Sequence, residues 1–492
     1  MNIVTPLTIR RGIPIWQSCG HLKIFARFNT KPTIFFLSDH FLHTVSADLR
    51  PSGPSDLPFI RRGLGFSSHA MIRQQSRSIA ARTGIRSMDI PYISGLTILA
   101  WAIACVWIAF VVVFANACRK RSSLRPMIDS PKLRELPKLS VIVAARNESA
   151  CIETCIKSLL RQDYPDLEVV AVNDRSTDDT GEILDRLAIE FADRLRVIHV
   201  SSLPSGWFGK PHALDLGMKS ASGSMVCFTD ADCEFLAPAA LRTSIVEMLR
   251  SHIDFFSIAA KYTMNSLREC LAVPCCAEAL LIWLRPERVS DPRWPDAFAN
   301  GAFIMVRRAP FESIGGWGSV RTKISEDLEM ARVAKRSGLR LGVAQGEGFY
   351  QTGSYGTLRE SWNGWSRIFK GALTPTQLMI TLVRMLVMFV LPLGGMLWGL
   401  SNAIQTGSVE WMTHGAGLGF AIAFSLRCAL DVVLFWLVGA PIATVPLALL
   451  GRLFVIGAVT RALLSHAGLV HTHWRGATFV SGRMITSGQM KA

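Results

Sequence analysis

Residues 139–148 read LSVIVAARNE, residues 167–180 read LEVVAVNDRSTDDT and residues 225–235 read MVCFTDADCEF, and these stretches decide the fold. Each is a short apolar run followed at once by polar, mostly acidic residues. Strands buried on both faces look like this, near-continuous in Val, Ile and Leu. The expected strands are therefore Leu139–Ala145, Leu167–Val172, Leu195–Val200 (LRVIHV) and Met225–Thr229. Between them, residues 149–162, 178–193 and 210–220 carry apolar side chains at a spacing near 3.6, so helices alternate with strands. The pattern predicts a doubly wound α/β domain with a parallel sheet over residues 136–355. In such sheets ligands bind outside the carboxyl ends of the strands.

Those ends are polar and anionic. The first is followed by Arg146, Asn147 and Glu148, the second by Asn173, Asp174 and Arg175, the fourth by Asp230 and Asp232. Asp174 ends its strand and is expected to be free to accept N–H donors from a ligand, whereas Thr177 to Asp179 read first as caps of the helix that begins there. Asp230 and Asp232, two apart, are expected to point the same way from an extended backbone. Two carboxylates so placed repel, and a divalent cation between them resolves the repulsion; oxygen donors select Mg²⁺ or Mn²⁺ over zinc.

Further out, the chain turns apolar. Ile93 to Ala117 is an uncharged run long enough for a membrane-crossing helix, and Arg119, Lys120 and Arg121 behind it put the downstream domain on the cytoplasmic side. Apolar character returns over residues 378–464, room for three more spans near 378–401, 415–438 and 441–464, before a tail at 465–492. Arg384, Arg427, Asp431 and Arg452 fall in or near these spans, where charge must pair, snorkel or face a cavity; Arg427 and Asp431, four apart, are placed to neutralise each other. A net charge of +16 raises the question of nucleic acid, but residues 1–87 hold 12 Lys and Arg against 3 Asp and no aromatic-interleaved basic stripe appears. That leader is expected to be a disordered extension or a misassigned start, with a targeting segment as the alternative. The eleven cysteines show no CxxC framework and read as reduced thiols. His471 and His473 read as ordinary surface residues.

VIVAARNE, VNDRSTDDT, WFGKPHAL, FTDADCEF and ISEDLEM, in this order, resemble the family 2 glycosyltransferases of the GT-A fold, which is Rossmann-like. With helices on both sides, the likeness is to the membrane-bound branch that glycosylates ceramide, carotenoid and hopanoid-type lipids. The resemblance implies a nucleotide-sugar site with Ala145, Arg146 and Glu148 near the nucleoside, Asp174 against the base, Asp230 toward the ribose and metal, and Asp232 on the metal. Lys210 is read either as a point charge at a phosphate or as a solvated lysine at a helix start. Asp327 is implied as the general base, although Glu326 and Asp327 also open a helix, where carboxylates are ordinary.

The implied reaction is inverting transfer of one hexose, with UDP the expected nucleotide, to a lipid hydroxyl at the cytoplasmic face of a multi-pass inner-membrane protein. The partners are the sugar nucleotide, the lipid and the bilayer, with no nucleic acid. Processive members carry Q-x-x-R-W, which residues 358–367 lack, so a polysaccharide synthase is the lesser alternative. A catalytically silent scaffold is another. Leu358, Trp362, Trp365, Phe369 and Ala372 lie at helical spacing within residues 356–375, interleaved with Arg359, Arg367 and Lys370. This reads as an interfacial helix whose Trp362, Trp365 and Arg367 meet the lipid acceptor, or as a helix packed on the domain.

Overall fold

The structure, a computed structural model, describes residues 95–492 except 121, 126–135, 260, 263, 265, 347, 354, 409–414, 471, 475–476, 481–482 and 486–492. The leader at 1–87, the first residues of the first expected span, and His471 lie outside the described residues.

In chain order the elements are α1 (Gly95–Lys120), β1 (Ser123–Leu124), β2 (Leu139–Ala145), α2 (Ile152–Leu160), β3 (Leu167–Asp174), α3 (Thr180–Glu190), β4 (Leu195–Val200) and α4 (Gly209–Ser220). There follow β5 (Met225–Asp230), β6 (Cys233–Phe235), α5 (Ala240–Arg250), β7 (Phe255–Ala259), β8 (Lys261–Tyr262), α6 (Leu267–Leu284), β9 (Ile304–Arg307), α7 (Arg308–Ser313), α8 (Glu326–Arg336), β10 (Leu341–Gly346) and β11 (Tyr350–Thr352). The C-terminal part is helical, with α9 (Leu358–Ala372), α10 (Pro375–Met385), α11 (Leu391–Thr406), α12 (Ala416–Val438) and α13 (Ala448–His466). A small antiparallel sheet, β12 (Thr472–Trp474), β13 (Ala477–Val480) and β14 (Arg483–Ile485), follows.

The main sheet has the order β1-β10-β7-β9-β5-β2-β3-β4. Its first four expected strands are present and parallel, but the sheet is mixed: β9 runs antiparallel to both β5 and β7. The expectation of a parallel sheet fails at this strand, which sits between β5 and β7 and pairs antiparallel with each. All seven residues of β2 are buried, as expected of a strand covered on both faces. Leu139, Val141, Val143 and Ala145 pack with Ile156 and Leu159 of α2, Leu184 of α3 and Ile245 of α5, while Ile142 and Ala144 pack with Leu214 and Met218 of α4 and Met330 of α8.

Four segments are long and apolar enough to cross a membrane: Gly95–Lys120, Pro375–Thr406, Ala416–Val438 and Ile442–His466. Residues 386–390 join α10 to α11 as a single π-helical turn within the second. Charges inside this helical assembly are paired. Arg427 of α12 forks onto Glu278 of α6 through two 2.6 Å bonds and donates to Asp431 at 2.5 Å; Arg452 of α13 donates to the same Asp431 oxygen. Arg384 of α10 stands 3.9 Å from Glu278, and the Arg427 guanidinium lies 5.3 Å from the ring of Trp107 in α1. The expected Arg427–Asp431 contact is thus part of a larger network. Glu278, which sequence spacing does not connect to it, comes from a helix more than a hundred residues earlier.

Because the network is buried, removing one member strands the others. Arg427→Ala, which leaves Glu278 without its fork, should cost about 3–5 kcal/mol. The measurement is the thermal unfolding midpoint of the detergent-solubilised protein, with Arg427→Lys recovering part of the loss.

Candidate active site

Strand register brings the polar ends together. Ala144 pairs with Asp230 and Ala145 with Asn173, so the ends of β2, β3 and β5 lie side by side. They open into one cavity of about 2440 Å³ whose walls include Ala145, Arg146, Glu148, Asp174, Lys210, Asp230, Asp232 and Asp327. All eight residues that the sequence assigned to donor, metal and base thus line a single space. The cavity continues past Asn300 and Arg367 to Phe110, Phe114, Leu281, Leu434 and Leu437, which belong to α1, α6 and α12.

The loops after β2 and β3 are stitched to each other. Asn147 N–H donates to Ser176 Oγ at 3.0 Å, Thr177 N–H to Asn147 Oδ1 at 2.8 Å, Glu148 N–H to Thr180 Oγ1 at 2.8 Å and Ser149 N–H to Asp178 Oδ2 at 3.1 Å. Asp178 also accepts from the Thr180 hydroxyl at 2.6 Å and its N–H at 3.1 Å. Burial would raise this carboxyl, but the hydrogen bonds from Thr180 and Ser149 prevail and hold it at about 2. The capping expectation holds at Asp178, which takes the N–H of the first residue of α3 and also ties the two loops together; the N-cap residue Asp179 makes no side-chain cap bond.

Asp174 is not free. It is buried, 4% exposed, and Arg175 forks onto it at 2.7 and 2.9 Å. The expectation of a free carboxylate fails because Arg175, the next residue, folds back onto it. The left-handed backbone of Arg175, φ 56, turns the side chain back.

Lys210, in the first turn of α4, bonds Asp230 Oδ1 at 2.7 Å and Glu326 Oε1 at 2.9 Å. It is a half-buried, ion-paired lysine. Burial opposes its charge, yet the carboxylates of Asp230, Glu326 and Asp327 outweigh that and raise it above the ordinary lysine range. Asp327 accepts from Gly301 N–H at 3.0 Å and Leu328 N–H at 2.8 Å, which fixes its plane. A Cβ on Gly301 would lie 3.1 Å from both Asp327 Oδ2 and Lys210 Nζ, so a side chain at this position would crowd both groups. Burial first, then the Glu326 charge, pushes the Asp327 carboxyl up to about 6. Glu326 was visible in the sequence but read only as a helix opener; the Asn300–Gly301 turn carried no signal at all.

Asp230 is the last residue of β5, and Asp232 sits in the turn before β6. Alternation along a strand therefore does not bring the pair together, as was expected; the turn does. Burial, then the charges of Asp230 and Glu148, lift the Asp232 carboxyl to about 7. Among the described residues no three His, Cys, Asp or Glu gather as a ready-made metal cluster. The donors nevertheless suit a hard dication. They are carboxylate oxygens on a cavity wall, and Asp230 and Asp232 repel each other.

Helix α9 packs one face on α13, the second of its two expected readings. Trp365 is 5% exposed in a cluster with Phe369 and residues of α13. Trp362, half-buried, stacks edge-on against Phe454 at 5.3 Å and lies against Gly457. The apolar face of this helix is spent on α13, and Lys370 is buried there, donating to Ser465 Oγ at 2.7 Å. Arg367 lines the cavity beside Asn363.

Residues 140–315 match the family described as Glycosyl transferase family 2, and residues 295–455 match Glycosyl transferase family group 2. The chain is 31% identical over 198 residues to a beta-monoglucosyldiacylglycerol synthase of Nostoc sp., covering 40% of each. It is 24% identical over 230 residues to the 4,4'-diaponeurosporenoate glycosyltransferase of Staphylococcus aureus, covering 46% of this chain and 59% of that one. The matched part is therefore two to three fifths of these relatives' lengths. Among solved structures, a mannosyltransferase from Pyrobaculum calidifontis in complex with GDP-Man and Mn²⁺ overlays with a TM-score of 0.44 at 19% identity, covering 75% of this chain and 99% of that chain.

Asp178→Ala removes the acceptor that joins the two loops, leaving Ser149 N–H unpaired, and should cost about 1–3 kcal/mol. The expected result is a lowered unfolding midpoint together with faster amide exchange at residues 147–149 and 176–180.

Proposed function

With a glycosyltransferase family 2 domain at residues 140–315 as the premise, we propose that the chain transfers one sugar from a nucleoside-diphosphate sugar to a hydroxyl of a lipid, inverting the anomeric carbon. The observation that carries this reading is the single cavity joining the polar strand ends to apolar membrane-length helices. The relatives that act on diacylglycerol and carotenoid lipids support the acceptor class.

In this reading the donor lies along the strand ends, its base toward Asp174 and its nucleoside against Ala145, Arg146 and Glu148. Asp230 and Asp232 would hold a Mg²⁺ or Mn²⁺ ion, which when bound supplies positive charge at the diphosphate. Lys210 adds a further cation at the same wall, and its pairing with Asp230 and Glu326 keeps it charged and in place. Asp327 is the general base. Its oxygens are oriented by two backbone N–H groups, and a pKa of about 6 leaves it ionised at neutral pH but more basic than an exposed aspartate. It takes the acceptor's proton as that oxygen attacks the anomeric carbon from the face opposite the departing diphosphate.

The acceptor reaches Asp327 from the apolar end, past Leu281 and Leu434, with Arg367 and Asn363 at the polar boundary. Trp362 and Trp365 act only by seating α9 on α13. Arg119 and Lys120, at the end of α1 that leads into the catalytic domain, favour a cytoplasmic domain under the positive-inside rule.

Three outcomes test this. In membranes supplied with labelled sugar nucleotides, Asp327→Asn should lower transfer into the lipid extract by about 10²–10⁴-fold while leaving nucleotide binding intact. Asp232→Asn should instead abolish the part of binding that depends on Mn²⁺. Because Asp327 must be ionised, wild-type transfer should rise as pH increases through about 6 and level off above it. A rate that is flat from pH 5 to 8 would remove Asp327 from the base role.

A further inference from the structure

The membrane-length segment Pro375–Thr406 holds a single charged residue, Arg384. It stands where the two faces of α10 meet. Leu378, Thr381 and Met385 are buried in the helical assembly, whereas Met379, Ile380 and Val383 are about half exposed. The Arg384 side chain, 23% exposed, therefore borders the surface that a bilayer would cover. The fold gives its guanidinium little to hold. Among the described residues, the buried Nε and Nη2 have no hydrogen-bond partner. The acid it approaches, Glu278, stands 3.9 Å from Nη1, beyond hydrogen-bond distance, and already holds the Arg427 fork on both oxygens. Across the network three guanidiniums, those of Arg384, Arg427 and Arg452, meet two carboxylates, those of Glu278 and Asp431. One positive charge is left over, and in hydrocarbon an uncompensated charge is costly.

Depth decides what can supply the missing anion. A helical segment of 32 residues is about 48 Å long against a hydrocarbon core of about 30 Å, so a centred segment projects by about 9 Å at each end. Arg384 follows Pro375 by nine residues, about 13 Å along the axis, which puts its backbone about 5 Å inside the edge of the core. That edge is on the side from which the chain leaves the catalytic domain. A long arginine side chain snorkels over such a distance to the headgroup level. The move gives up only the 3.9 Å approach to Glu278 and leaves Arg427 and Arg452 balanced against Glu278 and Asp431. We propose that Arg384 binds the phosphodiester of an anionic phospholipid in the leaflet beside the catalytic domain. One phosphodiester carries one negative charge, which cancels the excess, and its oxygens accept from the planar edge of the guanidinium as a fork. A zwitterionic lipid brings its own ammonium to the same place, where Glu278 is already engaged, and gains less.

The test is the lipid dependence of the melting midpoint of the full-length protein in neutral detergent. Phosphatidylglycerol should raise the wild-type midpoint at a concentration at least about tenfold lower than phosphatidylcholine does, the scale of one charge-assisted hydrogen bond. Arg384→Gln, which leaves the Arg427–Glu278 fork in place, should lose that preference. Equal response of the wild type to the two lipids overturns the proposal, whether or not the variant folds. So does an Arg384→Gln protein with the preference intact, which would assign it to other basic residues such as Arg119 and Lys120. Inorganic phosphate acting as well as phosphatidylglycerol would place the anion in water instead of the bilayer and would overturn it too.

Discussion

Charge balance around Lys210 is the constraint on which the site depends. Asp230 and Glu326 contact its ammonium directly, and Asp327 is close enough to raise its pKa further. These acids come from distant parts of the chain, the end of β5 and the start of α8, and without a shared cation they would repel one another. The lysine therefore links the end of β5 to the start of α8 across the cavity wall. Asp232 lies beyond its contacts and shows the consequence, a carboxyl lifted to about 7 by burial and by its neighbours Asp230 and Glu148. A nucleotide with its cation would enter a site already organised for positive charge.

The same economy governs the membrane part. Glu278 and Asp431 are spanned by Arg427, with Arg452 and Arg384 at either side, so helices α6, α10, α12 and α13 share one set of buried ion pairs. Such pairs are weak evidence for stability in themselves, but they fix register between helices that have little else polar to distinguish one packing from another. Because Glu278 also lines the cavity, the network sets the shape of the apolar end that an acceptor would occupy.

The strands, the acidic strand ends and the four membrane-length helices were legible because they rest on local periodicity and on spacing within short motifs. What stayed hidden was mostly long-range or conformational. Glu278 and Arg427 are 149 residues apart, and nothing in either segment points to the other. The antiparallel β9 lies between β5 and β7, a placement that no pattern within Ile304–Arg307 announces. Arg175 was in plain view, but its backbone at φ 56 could not be inferred from a residue type that seldom adopts it. Trp365 packs against α13, which the sequence could not announce because amphipathic spacing is the same whether the apolar face meets lipid headgroups or another helix.

The most direct measurement is a cryo-electron-microscopy map of the protein in lipid nanodiscs with UDP and Mn²⁺. The account predicts the uracil against Asp174, the diphosphate and metal beside Asp230 and Asp232, and Asp327 facing an open path to the apolar end of the cavity. Nucleotide bound elsewhere, with Lys210 still bridging Asp230 and Glu326 and the strand ends empty, would contradict it.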